Sequence, residues 1–191
     1  MPLQSEQWEK LIAEMNSCRR CSLCEYRTNV VVGRGSINPR VLFVGEGPGE
    51  NEDLQGLPFV GQAGKLLDFA LMAHMFSENT YYIANVVKCR PPKNRAPSDE
   101  EAEMCLPFLR RQLQLLNPEI IVCLGSVAMR HIISKEEKIT KIRGQWVEKK
   151  GWQILPTFHP AALLRDPGKK ELMWLDLGKV RQRLGSDVTF D

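Results

Sequence analysis

The chain reads as an α/β protein: a three-layer αβα sandwich around a central, mostly parallel four-stranded sheet. Two observations predict this. Four short segments, RVLFVG (40–45), YYIANVVK (81–88), EIIVCLG (119–125) and WQILPTF (152–158), are apolar almost throughout, as strands covered on both faces are. Between them lie stretches with helical spacing, and strands alternating with helices build a parallel sheet with helices on both faces. A third observation places the chemistry. Ligands of such folds bind beyond the carboxyl ends of the strands, and the segments following these strands are the most unusual in composition.

The helices follow in order. GQAGKLLDFALMAHM (61–75) puts Leu66, Leu67, Ala70, Leu71 and Met75 on one stripe. SDEEAEMCLPFLRRQLQLLN (98–117) opens with Ser98 as N-cap and has acids in its first turn, which suits the helix dipole. Pro107 inside it predicts a kink or a break into two helices. GSVAMRHIIS (125–134) and KELMWLDLGKVRQRL (170–184) complete the set.

At 191 residues the length suits a single domain, 1–191. Hydrophobic residues make up 43%, enough for a core, and the net charge of +3 demands no polyanionic partner. Charge distribution says more. Arg19, Arg20, Arg27, Arg34 and Arg40 crowd the N-terminal quarter, and Lys88, Arg90, Lys93 and Arg95 form a second run; both are solvated surface or phosphate contacts. No segment approaches the ~20 apolar residues that span a bilayer. The stretch MPLQSEQWEKLIAEMNS is amphipathic and of mixed charge, without the apolar core of a signal peptide. The expected setting is therefore cytoplasmic, where six cysteines point to metal or reactivity rather than disulfides.

The first strand runs into GEGPGENEDLQGLPFVG (45–61). Its glycines and proline suit a tight turn that exposes backbone N–H groups and admits a planar ligand. Neither a Walker lysine nor G-x-G-x-x-G is present, and Glu46, Glu50, Glu52 and Asp53 would repel phosphate, so an acidic surface loop is the other reading. Asn85 interrupts the second strand. Its amide is either a satisfied core group or a reader of a ligand, and it matches the imide edge of a pyrimidine. His159 stands at the tip of the fourth strand, before Pro160. Leu163 and Leu164 follow in a loop beside Arg165, either as ordinary packing or as a wedge between bases.

Cys18 and Cys21 make a C-x2-C, while Cys89 and Cys105 make a C-x15-C. A zinc ribbon needs a second C-x2-C. Four thiolates from two distant segments can ligate zinc or an iron–sulfur cluster. Cys123, inside the third strand, reads as a buried small hydrophobe, and Cys24 is ambiguous.

Together, CRRC, VGEGPGENED with GLPFVGQAG, NVVKCRPPKNR, the second cysteine of C-x15-C and PTFHPAALLR resemble the ordered motifs of the family-four, iron–sulfur uracil-DNA glycosylases. The resemblance runs from about Cys18 to Leu177, with Asn51 where the family usually has an acid. It implies a uracil-DNA glycosylase-like fold and a 4Fe–4S cluster on Cys18, Cys21, Cys89 and Cys105, with Cys24 not a ligand. It also implies a monofunctional DNA repair glycosylase that releases uracil and leaves an abasic site. Phe59 would stack on the flipped base, Asn85 would bond its edge, and His159 would donate to O2. Glu46, Gly47 and Pro48 would line the pocket and place the water, with Glu46 and Glu52 linked to activity. Lys88, Arg90 and Arg95 would grip phosphates, and Leu163 or Leu164 with Arg165 would fill the hole in the duplex. The implied partner of this monomer is uracil-containing DNA, with no membrane; a sliding-clamp contact is neither implied nor excluded. Two other functions fit the same motifs: a glycosylase for other deaminated bases, and an inactive iron–sulfur nucleic-acid-binding domain.

Overall fold

The computed structural model describes residues 2–185; Met1 and residues 186–191, which the single-domain expectation included, lie outside it. The elements run α1 (Pro2–Asn16), β1 (Arg34–Gly35), β2 (Val41–Gly45), α2 (Glu50–Gln55), α3 (Gln62–Ala73), β3 (Tyr81–Asn85) and α4 (Asp99–Leu116). There follow β4 (Ile120–Leu124), α5 (Ser126–Ile132), α6 (Ile139–Ile142), β5 (Val147–Lys149), β6 (Trp152–Thr157), α7 (Pro160–Arg165) and α8 (Lys170–Leu184).

The sheet has six strands in the order β1-β3-β2-β4-β6-β5. The expected four form its centre and are parallel throughout. Antiparallel β1 and β5 close the edges, so the four-stranded expectation is corrected to a six-stranded, partly parallel sheet. The edge strands are two and three residues long and mostly outside the core, too short to show a period of two in sequence.

Side chains of a strand alternate between faces, and the core divides accordingly. Leu42, Val44, Tyr82, Ala84, Ile121, Cys123 and Ile154 meet α1, α4 and α5. Val41, Phe43, Tyr81, Ile83, Ile120, Val122, Leu124 and Leu155 meet α3, α7 and α8. This is the three-layer arrangement, and the alternation turns Gly45, Asn85 and Thr157 toward the second face.

Four local expectations change. α4 runs unbroken through Pro107; the carbonyl that the proline leaves without a partner belongs to exposed Glu103, where water can serve it. Met75 lies beyond the end of α3, in a left-handed conformation and exposed, so it does not extend the apolar stripe. β3 ends at Asn85 rather than residue 88, although Val86 and Val87 still donate to the Gly45 and Glu46 carbonyls. Leu163 and Leu164 belong to α7, not to a loop.

The carboxyl-terminal helix is held by a buried charge. Asp176 has no exposed surface and accepts from Arg143 Nε and Nη2 and from Thr157 Oγ1 at 2.6 Å. Lys179 Nζ donates to the Gly144 carbonyl at 2.7 Å. The network fixes β6 just before His159. Removing one partner of a buried ion pair strands the other charge at a cost of about 3 kcal/mol or more. Asp176→Ala should therefore lower the thermal midpoint by roughly 10 °C for a chain of this size, with Asp176→Asn intermediate; differential scanning fluorimetry measures both.

Candidate active site and cysteine cavity

The four central strands end side by side, and each end contributes to one pocket. Gly45 of β2 is the register partner of Asn85 of β3. A Cβ on Gly45 would run into Asn85 Oδ1 and stand 2.7 Å from the Phe59 ring, so only glycine lets the amide and the ring come this close. Gly125 follows β4, and its positive φ of 92° lets His159 pass 2.8 Å from where a Cβ would be. Phe59, itself left-handed at φ 55°, stacks on the His159 ring at 5.5 Å between centroids and 28° between planes. Its carbonyl rests where a side chain on Gly64 of α3 would be.

Asn85 is only 2% exposed, and its Oδ1 is buried with no hydrogen-bond partner among the described residues. An unpaired buried acceptor costs about 1–3 kcal/mol, which a ligand N–H would recover. His159 accepts from the Ala161 main-chain N–H at Nδ1, 3.1 Å away, so the neutral ring carries its proton on Nε2. Burial, followed by the Arg165 charge, lowers its pKa to about 4. The ring is therefore a neutral N–H donor across the physiological range.

The two glutamates differ. Glu52 Oε2 accepts from Gly49 N at 3.1 Å, and Oε1 accepts from Val60 N and Gly61 N at 2.9 and 2.8 Å. Both oxygens are committed to holding the turn after β2 against the segment that carries Phe59. Glu52, expected as a residue linked to activity, is thus bonded to three main-chain N–H groups. The Glu46 carboxyl is half-buried, and desolvation raises its pKa despite the opposing charge of Arg165. Gly47 and buried Pro48 complete the wall, Gly47 lying where a Cβ would press on Val87.

The basic residues divide also. Lys88 is 2% exposed, burial pulls its pKa to about 8, and Nζ donates inward to the Asn85 carbonyl and to Gln112 Oε1. It cannot reach a phosphate, which corrects its expected role. Its neighbours keep to the surface: Arg90 pairs with Asn94 and Glu50, and Arg95 forms a two-toothed pair with Glu101. Leu163 is buried in the core, so it is not a wedge, whereas Leu164 is 45% exposed beside exposed Arg165.

Cys18, Cys21, Cys89 and Cys105 line one cavity, closed by Met15, Met104 and Phe108. Cys24 lines it too, placing a fifth thiol beside the expected four. Arg27 Nη1 donates to Cys89 Sγ at 3.2 Å. Burial raises the thiol pKa of Cys89, and that of Cys105 to about 11. Among the described residues no group of three or more Cys, His, Asp or Glu side chains is gathered tightly enough for a metal ion. A donor set of thiols alone, drawn from two segments around one apolar cavity, fits an iron–sulfur cluster by its chemistry. Cys123 lies apart, fully buried in β4. No described helix is long and apolar enough to cross a membrane.

A slot at parallel strand ends, with an unpaired amide oxygen, a stacking ring and a neutral imidazole donor, suits a planar, hydrogen-bonding base. The profile of the uracil DNA glycosylase superfamily matches residues 32–178. A type-4 uracil-DNA glycosylase of Sulfurisphaera tokodaii is 44% identical over 91% of this chain and 83% of its own. One from Thermotoga maritima is 45% identical over 87% and 88% respectively, and one from Archaeoglobus fulgidus 39% over 94% of both. The chain belongs to the type-4 family of the uracil-DNA glycosylase superfamily.

The unfolded chain takes up a proton on this histidine near pH 6.5, but the folded chain refuses it until about pH 4. The stability that neutral His159 contributes is thus complete above pH 6.5 and is lost as pH falls through that window. NMR of the histidine ring protons should show His159 untitrated at pH 5, where an exposed histidine is already charged.

Proposed function

We propose that the chain hydrolyses the N-glycosidic bond of deoxyuridine in DNA, releasing uracil and leaving an abasic site, as a monofunctional enzyme of base excision repair. The observation that carries this reading is the orphaned Asn85 Oδ1 in the slot. Uracil N3–H supplies the donor it needs, and the amide N–H2 donates to O4. Phe59 stacks on the base once the nucleotide has left the duplex, at a cost of a few kcal/mol.

As the C1′–N1 bond breaks, its electron pair leaves with uracil and charge gathers on O2. His159 Nε2–H is the donor for that charge; because the ring is neutral, it stabilises the anion without transferring a proton first. Water adds to C1′ and gives its proton to Glu46, whose raised pKa makes it a better base than an ordinary carboxylate. Around the site, Leu164 fills the gap in the stack, while Arg165, Arg90 and Arg95 face the phosphates. Lys88 is buried and committed to Asn85 and Gln112, so it is not a Schiff-base nucleophile, consistent with hydrolysis alone.

Cys18, Cys21, Cys89 and Cys105 would hold a 4Fe–4S cluster. Bound there, it would supply a cross-link among the segment after α1, the loop after β3 and α4. Arg27 orients Cys89 and partly balances the thiolate charge.

The test is uracil release from a U-containing duplex by purified, iron-loaded protein; binding such DNA without release would defeat the reading. His159→Ala and Asn85→Ala should each slow single-turnover release by about 10²- to 10³-fold, as loss of one transition-state donor does, with melting temperature near that of the wild type. Iron and sulfide analysis of two further variants checks the cluster: Cys21→Ser should lose both elements, and Cys24→Ser should keep them.

A further inference from the structure

Lys88 is a buried cation for which the glycosylase reading has no use. Its side chain is among the largest that are fully enclosed. An apolar side chain of similar length would fill the same space without the desolvation cost of a buried charge, so packing alone does not account for a lysine. Its hydrogen bonds do. Nζ donates to the Asn85 carbonyl at 2.8 Å and to Gln112 Oε1 at 2.6 Å. Gln112, fully buried on α4, donates in turn to the Val32 carbonyl at 3.0 Å. The Lys88 carbonyl accepts from Val31 N at 2.8 Å, and Lys88 itself lines the cysteine cavity. The next residue is Cys89.

One residue therefore touches the base reader through its side chain and also lines the cysteine cavity. Asn85 is the last residue of β3. Beyond it, the sheet ladder continues only through Val86 and Val87, which donate to Gly45 and Glu46. The Asn85 carbonyl is held from the other layer, by Lys88. We propose that Lys88 is a positioning residue that ties the placement of Asn85 to the cysteine loop, so that a correctly built metal centre sets the geometry of base recognition. This rests on the glycosylase reading of the pocket. Either protonation state of Nζ can donate, so the link does not depend on its charge.

The experiment uses the full-length, iron-loaded chain and free uracil as the probe. Lys88→Met keeps the length and removes both donors; Gln112→Leu removes the far anchor of the same lysine, two helical turns beyond Cys105. The measurements are uracil affinity by calorimetry, affinity for an abasic-site duplex, and iron content. With iron and duplex affinity retained, uracil binding should weaken about tenfold or more, the loss of a well-placed hydrogen bond. A merely structural lysine would lower the melting temperature and leave uracil affinity alone. Uracil affinity within twofold of the wild type in an iron-loaded variant would overturn the proposal. Should Lys88→Met lose its iron, Gln112→Leu decides, and iron loss in both would overturn the proposal by assigning Lys88 to cluster assembly alone. Failure of the wild type to release uracil would instead sink the glycosylase reading, so the two failures are distinguishable.

Discussion

The pairing of Gly45 with Asn85 at the carboxyl ends of two parallel strands is the constraint on which the site depends. Because strands alternate their faces, this register turns the Asn85 amide toward the layer of α3, α7 and α8, where Phe59 and His159 also arrive. Because Gly45 has no side chain, the Asn85 amide and the Phe59 ring can both approach its backbone. A slip of one residue would turn Asn85 into the opposite core and close the slot. Nothing farther along the chain could restore it.

Around that register the polar groups are divided by what remains unpaired. Glu52 uses both oxygens to fix backbone. His159 uses Nδ1 to receive a main-chain N–H, which leaves one donor and fixes its tautomer. Asn85 keeps its acceptor free at the cost of burying it. A site that offers an amide, an imidazole N–H and a desolvated carboxyl is specific in what it can hold. The unpaired groups are tolerable because rigid elements hold them and a ligand would satisfy them.

The cysteine cavity and the slot occupy opposite layers of the sheet but share the chain from Asn85 to Cys89. Lys88 lies within that stretch, and its buried bonds run to Asn85 on one side and to α4 on the other. Rigidity in the loop after β3 is thus common to both sites. Arg27, reaching Cys89 from the N-terminal segment, closes the same structure from outside.

Much of this was legible in the sequence. Four apolar runs marked the parallel centre, because strands buried on both faces leave no alternation to misread. The motif residues Phe59, Asn85 and His159 and the paired cysteines were identifiable by type and order. What sequence could not show was direction and partner. The Lys88 in a basic run and the Leu163 in an apolar pair look like surface and wedge, yet both face inward; Glu52 looks as unencumbered as Glu46 until the main-chain donors bonded to it are counted. Gln112 carried no signal, because its partners lie 80 and 24 residues away in sequence. The sequence by itself determined the layers and the residue types at the strand ends, since burial and backbone preference are local in their demands. Which of those residues remain free to act was decided only by tertiary structure, because hydrogen bonds between distant segments consume some polar groups and leave others unpaired.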